Sequence, residues 1–395
     1  MQRPCPDTPS HALALLAMAP GRLGPRRALL EHCRCPLAVL AGGRPMWRRA
    51  GLDEAQQQWL ARPDEAILRP VWAWLDQDQH HLLGLHDADY PPLLRRSPSA
   101  PLALYVDGCP QSLWHPGVAV VGSRSPSAGG GDNARDFASA LARAGIAVIS
   151  GMAAGIDARA HLAALQLDGG ITVAVVGTGP DIAYPRQHAE LRDRIAARGA
   201  IVSEHPPGTR PLRSHFPSRN RILAGLALAT LVVEAAERSG ALITARLAGD
   251  LGREVFAVPG SIHNPMARGC HRLIREGAGL IESAAEVIAA VKPLAWELGH
   301  ALRQRIDETE QGAIAAQPAN VPATDPDYQK LWLALGHDPT CMDELVPRTG
   351  LTAAQLSSML LAMELDGRIA VEHGRYSRNT KFLSSTASRT QAEGQ

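Results

Sequence analysis

From residue 117 to about residue 292 the chain alternates two patterns: short apolar, β-branched runs that stop abruptly, and longer runs with helical spacing of their apolar positions. The first short run, Val118-Ala119-Val120-Val121, breaks into Gly122-Ser123-Arg124. The second, Ala147-Val148-Ile149-Ser150, breaks into Gly151-Met152-Ala153-Ala154-Gly155-Ile156-Asp157. Four more follow, at 172–176, 200–203, 230–234 and 254–258. Six strand–helix repeats without polar alternation predict an α/β fold on a mostly parallel sheet, covered by helices on both faces. The crossovers should be right-handed. Ligands of such sheets sit beyond the carboxyl ends of the strands, and phosphate suits that place here. Gly122 lets the backbone come close, Ser123 offers a hydroxyl and an amide, and Arg124 offers a forked cation, with the next helix pointing its positive end the same way. The turn at Gly151 and Gly155 makes a second mouth beside the first.

The flanks read differently. Residues 11–85 look helical, and Pro20-Gly21-Arg22-Leu23-Gly24-Pro25 between two apolar helices reads either as a helix-hairpin-helix facing a phosphate backbone or as a plain packing turn. Trp47, Trp59, Trp72 and Trp74 fall in this stretch and suit core contacts better than base platforms. Residues 87–116 are a proline-punctuated connector with one strand at 102–106. Residues 300–324 lose apolar periodicity and predict a flexible linker. Beyond it, three short helices and a hairpin give a winged-helix pattern, with Thr352 capping the third helix and Gly374 at the wing tip. That third helix, 353–364, carries no arginine or lysine, and the cations sit at Arg368, Arg375 and Arg378, which favours protein contact over duplex binding. The expected organisation is a helical domain at 1–86, the sheet domain at 87–299, the linker, a winged-helix domain at 325–383 and a disordered tail at 384–395.

Composition narrows the function. A formal net charge of +1 means that polyanion binding must come from local clustering. Lys292, Lys330 and Lys381 are the only lysines, so arginine, the better bidentate phosphate ligand, supplies 37 of the 40 basic residues. The six cysteines, at 5, 33, 35, 109, 270 and 341, match no zinc or redox spacing and read as reduced thiols. The N-terminus lacks a signal-peptide core, and no later run is an uninterrupted membrane span. A soluble, cytoplasmic protein is expected.

The strongest local field lies between Glu204 and Glu234, an interval with no acidic residue that holds Arg210, Arg213, Arg219 and Arg221 with His205 and His215. Phe216 sits among them, in what reads as a loop. An exposed ring beside guanidinium groups is how a single-strand binder stacks a base while clamping its phosphates, worth roughly 1–3 kcal/mol per base. The competing reading is that Phe216 plugs the core while Arg219 and Arg221 brace the sheet. Asn220 lies in the same segment, and Ser239-Gly240 through Thr244 open the next helix, whose amides face the same mouth while Ser239 caps it. Catalytic templates fail: there is no phosphate-binding G-x-x-x-x-G-K-[ST], no G-x-G-x-x-G and no nucleophile elbow. Asp157 and His161, four apart, read as a helix cap and a packed imidazole rather than a metal pair. No cofactor is expected.

Seven segments in order, V-A-V-V-G-S-R, S-G-M-A-A-G-I-D-A-R-A-H, A-Y-P-R, S-E-H-P-P-G-T-R-P, H-F-P-S-R-N-R-I-L-A-G-L, V-V-E-A-A-E-R-S-G-A-L-I-T-A and R-E-V-F-A-V-P-G-S-I, resemble the DNA-processing protein A family, also called Smf, over residues 117–290. The resemblance implies an extended Rossmann-like domain that binds single-stranded DNA without cutting it, forms a homodimer, protects incoming strands and loads the RecA recombinase onto them in natural transformation. It places the DNA pocket at Gly122, Ser123 and Arg124, with Arg213 where lysine is common, Phe216 as the stacking ring and Arg186 at another position often held by lysine. Ala154 departs from the pattern, since a base often stands there, which implies one phosphate contact fewer. The dimer surface would map near 270–281, around Leu273 and Ile274. The alternative reading is a nucleotide hydrolase of the lysine-decarboxylase-like phosphoribohydrolase group, but those enzymes need a P-G-G-x-G-T-x-x-E turn. The corresponding mouth here reads R-S-G-A-L-I-T, without the glutamate.

Overall fold

A computed structural model describes residues 8–316, 326–335, 340–352, 355–356, 359–360, 363, 369–372 and 375–378. Its centre is a nine-stranded sheet of β1 (His80–Gly84), β2 (Ala103–Gly108), β3 (Gly117–Val121), β4 (Ala147–Ser150), β5 (Thr172–Val175), β6 (Ala200–Ser203), β7 (Ala229–Val232), β8 (Glu254–Ala257) and β9 (Gly279–Leu280). The spatial order is β1-β2-β6-β5-β4-β3-β7-β8-β9. From β6 to β9 every pairing is parallel, while β1 and β2 add an antiparallel edge. All seven strands read from the sequence are present. Both faces are covered: along β3, Val118 and Val120 join one apolar cluster and Ala119 and Val121 the other, all buried. The chain runs from β3 to β6 on one side and returns at β7 on the other, so the strand order reverses between β3 and β7. A crevice opens at such a switch point.

The N-terminal stretch is six helices, from Pro9–Met18 to Glu65–Leu75. Residues 80–84, expected to be helical, instead form β1. The tryptophans are core residues: the indole N–H groups of Trp47, Trp59 and Trp72 donate to the carbonyls of Val39, Leu15 and His11 at 2.7, 2.9 and 3.3 Å, and Trp74 stacks on His80 at 3.8 Å. Between the first two helices, buried Arg26 donates to the carbonyls of Leu16, Ala17, Gly21 and Arg22. The turn is thus tied down from inside, as the packing reading requires.

Residues 300–316, read as linker, continue the helix Ala284–Ala316, and 317–324 lie outside the described residues. A second compact unit begins at Asp307. It holds helices Pro326–Ala334 and Met342–Thr349 and a three-stranded sheet of β10 (Thr340–Cys341), β11 (Ile369–Glu372) and β12 (Arg375–Arg378), ordered β10-β12-β11. Thr352 and Gln355 form the predicted cap, each side chain accepting from the other's amide at 3.4 and 3.1 Å. Arg378 is not a free wing cation. Its guanidinium lies 4.6 Å from the Trp332 ring centroid and donates to the Trp332 carbonyl, whereas Arg375 is exposed. Arg368, Gly374 and the tail at 384–395 fall outside the described residues. No helix among the described residues is long and apolar enough to cross a membrane.

Candidate nucleic-acid interface

At the carboxyl ends of β3 and β7 lies a cleft of about 650 Å³. Its first wall is the turn after β3. Buried Ser123 is spent inside that turn: its amide donates to the Glu234 carbonyl at 2.7 Å and its hydroxyl accepts from the Ser125 amide at 3.0 Å. The expected amide is therefore engaged elsewhere, the buried hydroxyl is held by the Ser125 amide with its proton still to donate, and Gly122 and Arg124 are what this turn brings to the cleft lining. Glu234, unassigned from the sequence, organises the region. Its buried carboxylate accepts from the amide and hydroxyl of Ser127, the cap of helix Ala128–Arg143, and from the Asn264 side chain, each at 2.8 Å. The available signal was one carboxylate ending an otherwise apolar strand.

The floor is the loop after β4. Asp157 accepts from the amides of Gly151 and Ala153 at 3.2 and 3.3 Å. Arg219 donates to the Gly151 carbonyl at 3.1 Å, and the imidazole of His188 donates to the Met152 carbonyl at 2.9 Å. These bonds hold Met152 in the left-handed region, at φ 57°. Gly151 must be glycine, because a Cβ there would come within 1.8 Å of the Arg219 guanidinium. Its own polar groups are both engaged, so it shapes the site from beneath. Gly155, at φ 85°, packs under the carbonyls of Ser123 and Arg124 and likewise positions the turn. Burial pushes the Asp157 carboxyl up and the Arg219 guanidinium down, and the two oppose each other's shift. His161 is buried behind this floor, as the packed imidazole expected from the sequence. Thr172 donates its hydroxyl proton to the Val148 carbonyl, so it accepts from His161 Nδ1 at 2.7 Å and leaves Nε2 bare in a buried site. Desolvation accordingly pulls this imidazole down to about 3. No group of three metal-ligating side chains occurs among the described residues.

The second wall is helix His215–Leu226, so Phe216 lies in a helix's first turn rather than in a loop. Its half-buried ring stands between the Arg124 guanidinium, 5.8 Å from the ring centroid, and Tyr184, whose ring centroid is 5.1 Å away with a 38° tilt. Arg124 and Arg213 are exposed, and both line the same cleft as Phe216. Asn220, Ser239, Gly240 and Thr244 complete it, with Ser239 Oγ accepting from the Ala241 amide at 3.3 Å. Buried Arg219 forms part of the floor, and Ala154 lines a side pocket next to it. Five predicted residues are not among those lining the cleft: Ser123, Gly151 and Gly155, which shape it from behind, and Arg186 and Arg221. Arg186 is exposed in the turn Arg186–His188, and Arg221 donates to the Ser99 carbonyl and the Glu204 carboxylate. Tyr184 was not assigned a role, although it stands in the A-Y-P-R segment that carries the family resemblance.

The family model for DNA recombination-mediator protein A matches residues 81–292, and a winged-helix model of the same family matches residues 315–375. Protein Smf of Synechocystis is 39% identical over 326 residues, which cover 76% of this chain and 81% of that protein. Protein Smf of Escherichia coli is 39% identical over 333 residues, covering 84% and 86%. Among solved structures, DNA processing protein A from Streptococcus pneumoniae is similar with a TM-score of 0.63 and 36% identity, over 71% of this chain and 97% of that one.

Proposed function

We propose that this chain, which belongs to the DNA recombination-mediator protein A family, binds single-stranded DNA in the cleft between β3 and β7 and hands it on for recombination without cutting it. The observation that carries this reading is that Arg124, Arg213 and Phe216 converge on one open cleft. Two exposed guanidinium groups clamp phosphates and the Phe216 ring lining the same cleft accepts a base, with no sequence-specific readout required. A duplex stacks its bases inward and cannot use the ring. The strand is held, protected from nucleases and presented to RecA during transformation. The partner copy of a homodimer docks at the β9 edge, where Leu280 is 47% exposed, with Ile262 in the segment after β8 another exposed apolar side chain at 76%. Leu273, expected on that surface, belongs to the core.

Arg124→Glu and Arg213→Glu, each with an unchanged melting transition, are expected to weaken binding of a labelled single strand more than tenfold, since each turns a charge-assisted contact worth about 1.5–3 kcal/mol into a repulsion. Parental affinity in either folded variant would refute the cleft. Ile262→Glu with Leu280→Glu should sediment as a monomer; an unchanged dimer would place the interface elsewhere. RecA loading is tested by filament growth on strands pre-coated with a single-strand binding protein, and no acceleration by this chain would remove that role.

A further inference from the structure

The loop after β5 brings to the cleft an aromatic side chain that the strand-binding reading leaves unused. Tyr184 is 40% exposed, whereas Tyr90 and Tyr105 are sealed in the core at 0% and 1%. An aromatic ring carries so much apolar surface that leaving its face open on a cavity wall forgoes burial which a ligand can supply. The ring is not loose. Thr178 donates its hydroxyl proton to the Ile182 carbonyl at 2.8 Å, and the amide and imidazole of His188 donate to the carbonyls of Pro185 and Met152, each at 2.9 Å. The backbone on both sides of Tyr184 is thus fixed before a strand arrives, which lowers the cost of binding on it. On one side the ring meets Phe216, with centroids 5.1 Å apart and a 38° tilt. That spacing is direct contact and leaves no room for a base between the two rings. Tyr184 and Phe216 also line, with Pro185, Ala153 and Ala154, a side pocket of about 110 Å³ that Arg124 and Arg219 help to close. Its flat and apolar surfaces suit the face of a base better than a phosphate.

We propose that Tyr184 is a second stacking platform: one base of the bound strand packs on the ring face turned away from Phe216, while Phe216 takes another base and backs the tyrosine. Arg124 and Arg213 hold phosphates and the two rings hold bases. The new contact needs only a π face, which every base has, and it neutralises no charge, so it adds affinity without adding salt dependence. The inference rests on the strand-binding reading and adds a residue and a second base to it.

The test is a fluorescence-anisotropy titration of the full chain with oligo-dT and with a deoxyribose-phosphate strand of equal length that lacks bases. Tyr184→Ala is expected to weaken oligo-dT about tenfold, to leave the slope of log affinity against log salt unchanged and to keep the abasic strand within about twofold of the parent. Tyr184→Phe, which keeps the ring, should bind oligo-dT within about twofold of the parent. The losses of Tyr184→Ala and Phe216→Ala should roughly multiply in the double variant, because each ring holds a base of its own. Should Tyr184→Ala not melt like the parent, Tyr184→Leu gives the same comparison, since it keeps apolar bulk against Phe216 without a flat face. Parental affinity for oligo-dT in the folded variant overturns the second platform and leaves the cleft standing. Equal weakening of both strands also overturns it, because the ring would then only position the cations. A double variant no weaker than the worse single one means that the two rings share one base, which overturns it as well. A parent protein that binds no oligo-dT overturns both readings.

Discussion

Arg219 and Arg221 lie two positions apart on one helix, and the chain uses them in different ways. Two residues of helix advance the side chain by about 200°, so Arg219 shares a face with Phe216, three positions before it, while Arg221 points away to Glu204. Local charge density in the sequence showed that the segment is cationic. It could not show which cation meets the ligand, because that depends on the phase of a helix read as a loop. Arg124 was legible for a simpler reason: a strand that stops at glycine fixes where the next side chains emerge. His161 carries a prediction of its own. Its folded value lies near 3 against an ordinary 6.5, so between those limits the unfolded chain takes up a proton that the folded chain refuses. This contribution is complete above about pH 6.5 and is lost as pH falls, amounting to about 2 kcal/mol by pH 5. Urea denaturation from pH 7 to 5 should therefore show a steeper loss in the parent than in His161→Gln, and parallel curves would mean that this imidazole titrates normally.

Elements were legible where burial writes the pattern. β3 to β7 are buried at every position and read as short apolar runs, while β8 opens with exposed Glu254 and is buried only at Phe256 and Ala257. β1 opens with His80 and His81 beside a tryptophan-rich helical stretch, and β9 is two residues long, so neither leaves a pattern to find. Residues 300–316 are helical without a continuous apolar stripe. Ala, Leu, Gln, Arg and Glu dominate them, and intrinsic propensity supplied what periodicity did not. The turn after β3 depends on an element that never touches the ligand. Gly155, which begins helix Ile156–Leu165, has φ 85° and would place a Cβ 2.3 Å from the Ser123 carbonyl. Gly155→Ala is expected to cost about 3 kcal/mol or more and to push Arg124 out of line, lowering strand affinity even under conditions where the variant is fully folded. Gly145 separates strain from clash, since it also has a positive φ, 73°, but no atom within 4 Å of its would-be Cβ. Gly145→Ala should cost about 1 kcal/mol and leave affinity intact. Equal effects from the two substitutions would mean that backbone strain alone, rather than the contact with the turn, sets the cleft.

At the scale of the molecule, near-neutrality decides what kind of attraction is available. With a formal net charge of +1 there is no global field to gather a polyanion, and surface arginines such as Arg69 and Arg135 are held by Glu65 and Asp132. Strand binding must then come from the few cations aimed into the cleft, and its salt dependence should count them. For single strands the slope of log affinity against log salt is about −0.7 per phosphate neutralised. Arg124→Ala and Arg213→Ala should each flatten that slope by about 0.7 while lowering affinity, because each releases one phosphate from contact. Arg69→Ala removes the same charge from a paired site in the N-terminal helices and should leave slope and affinity within about twofold of the parent. If Arg69→Ala flattened the slope as much as Arg124→Ala, the attraction would be diffuse, and the convergence of Arg124, Arg213 and Phe216 would be a feature of packing rather than of recognition.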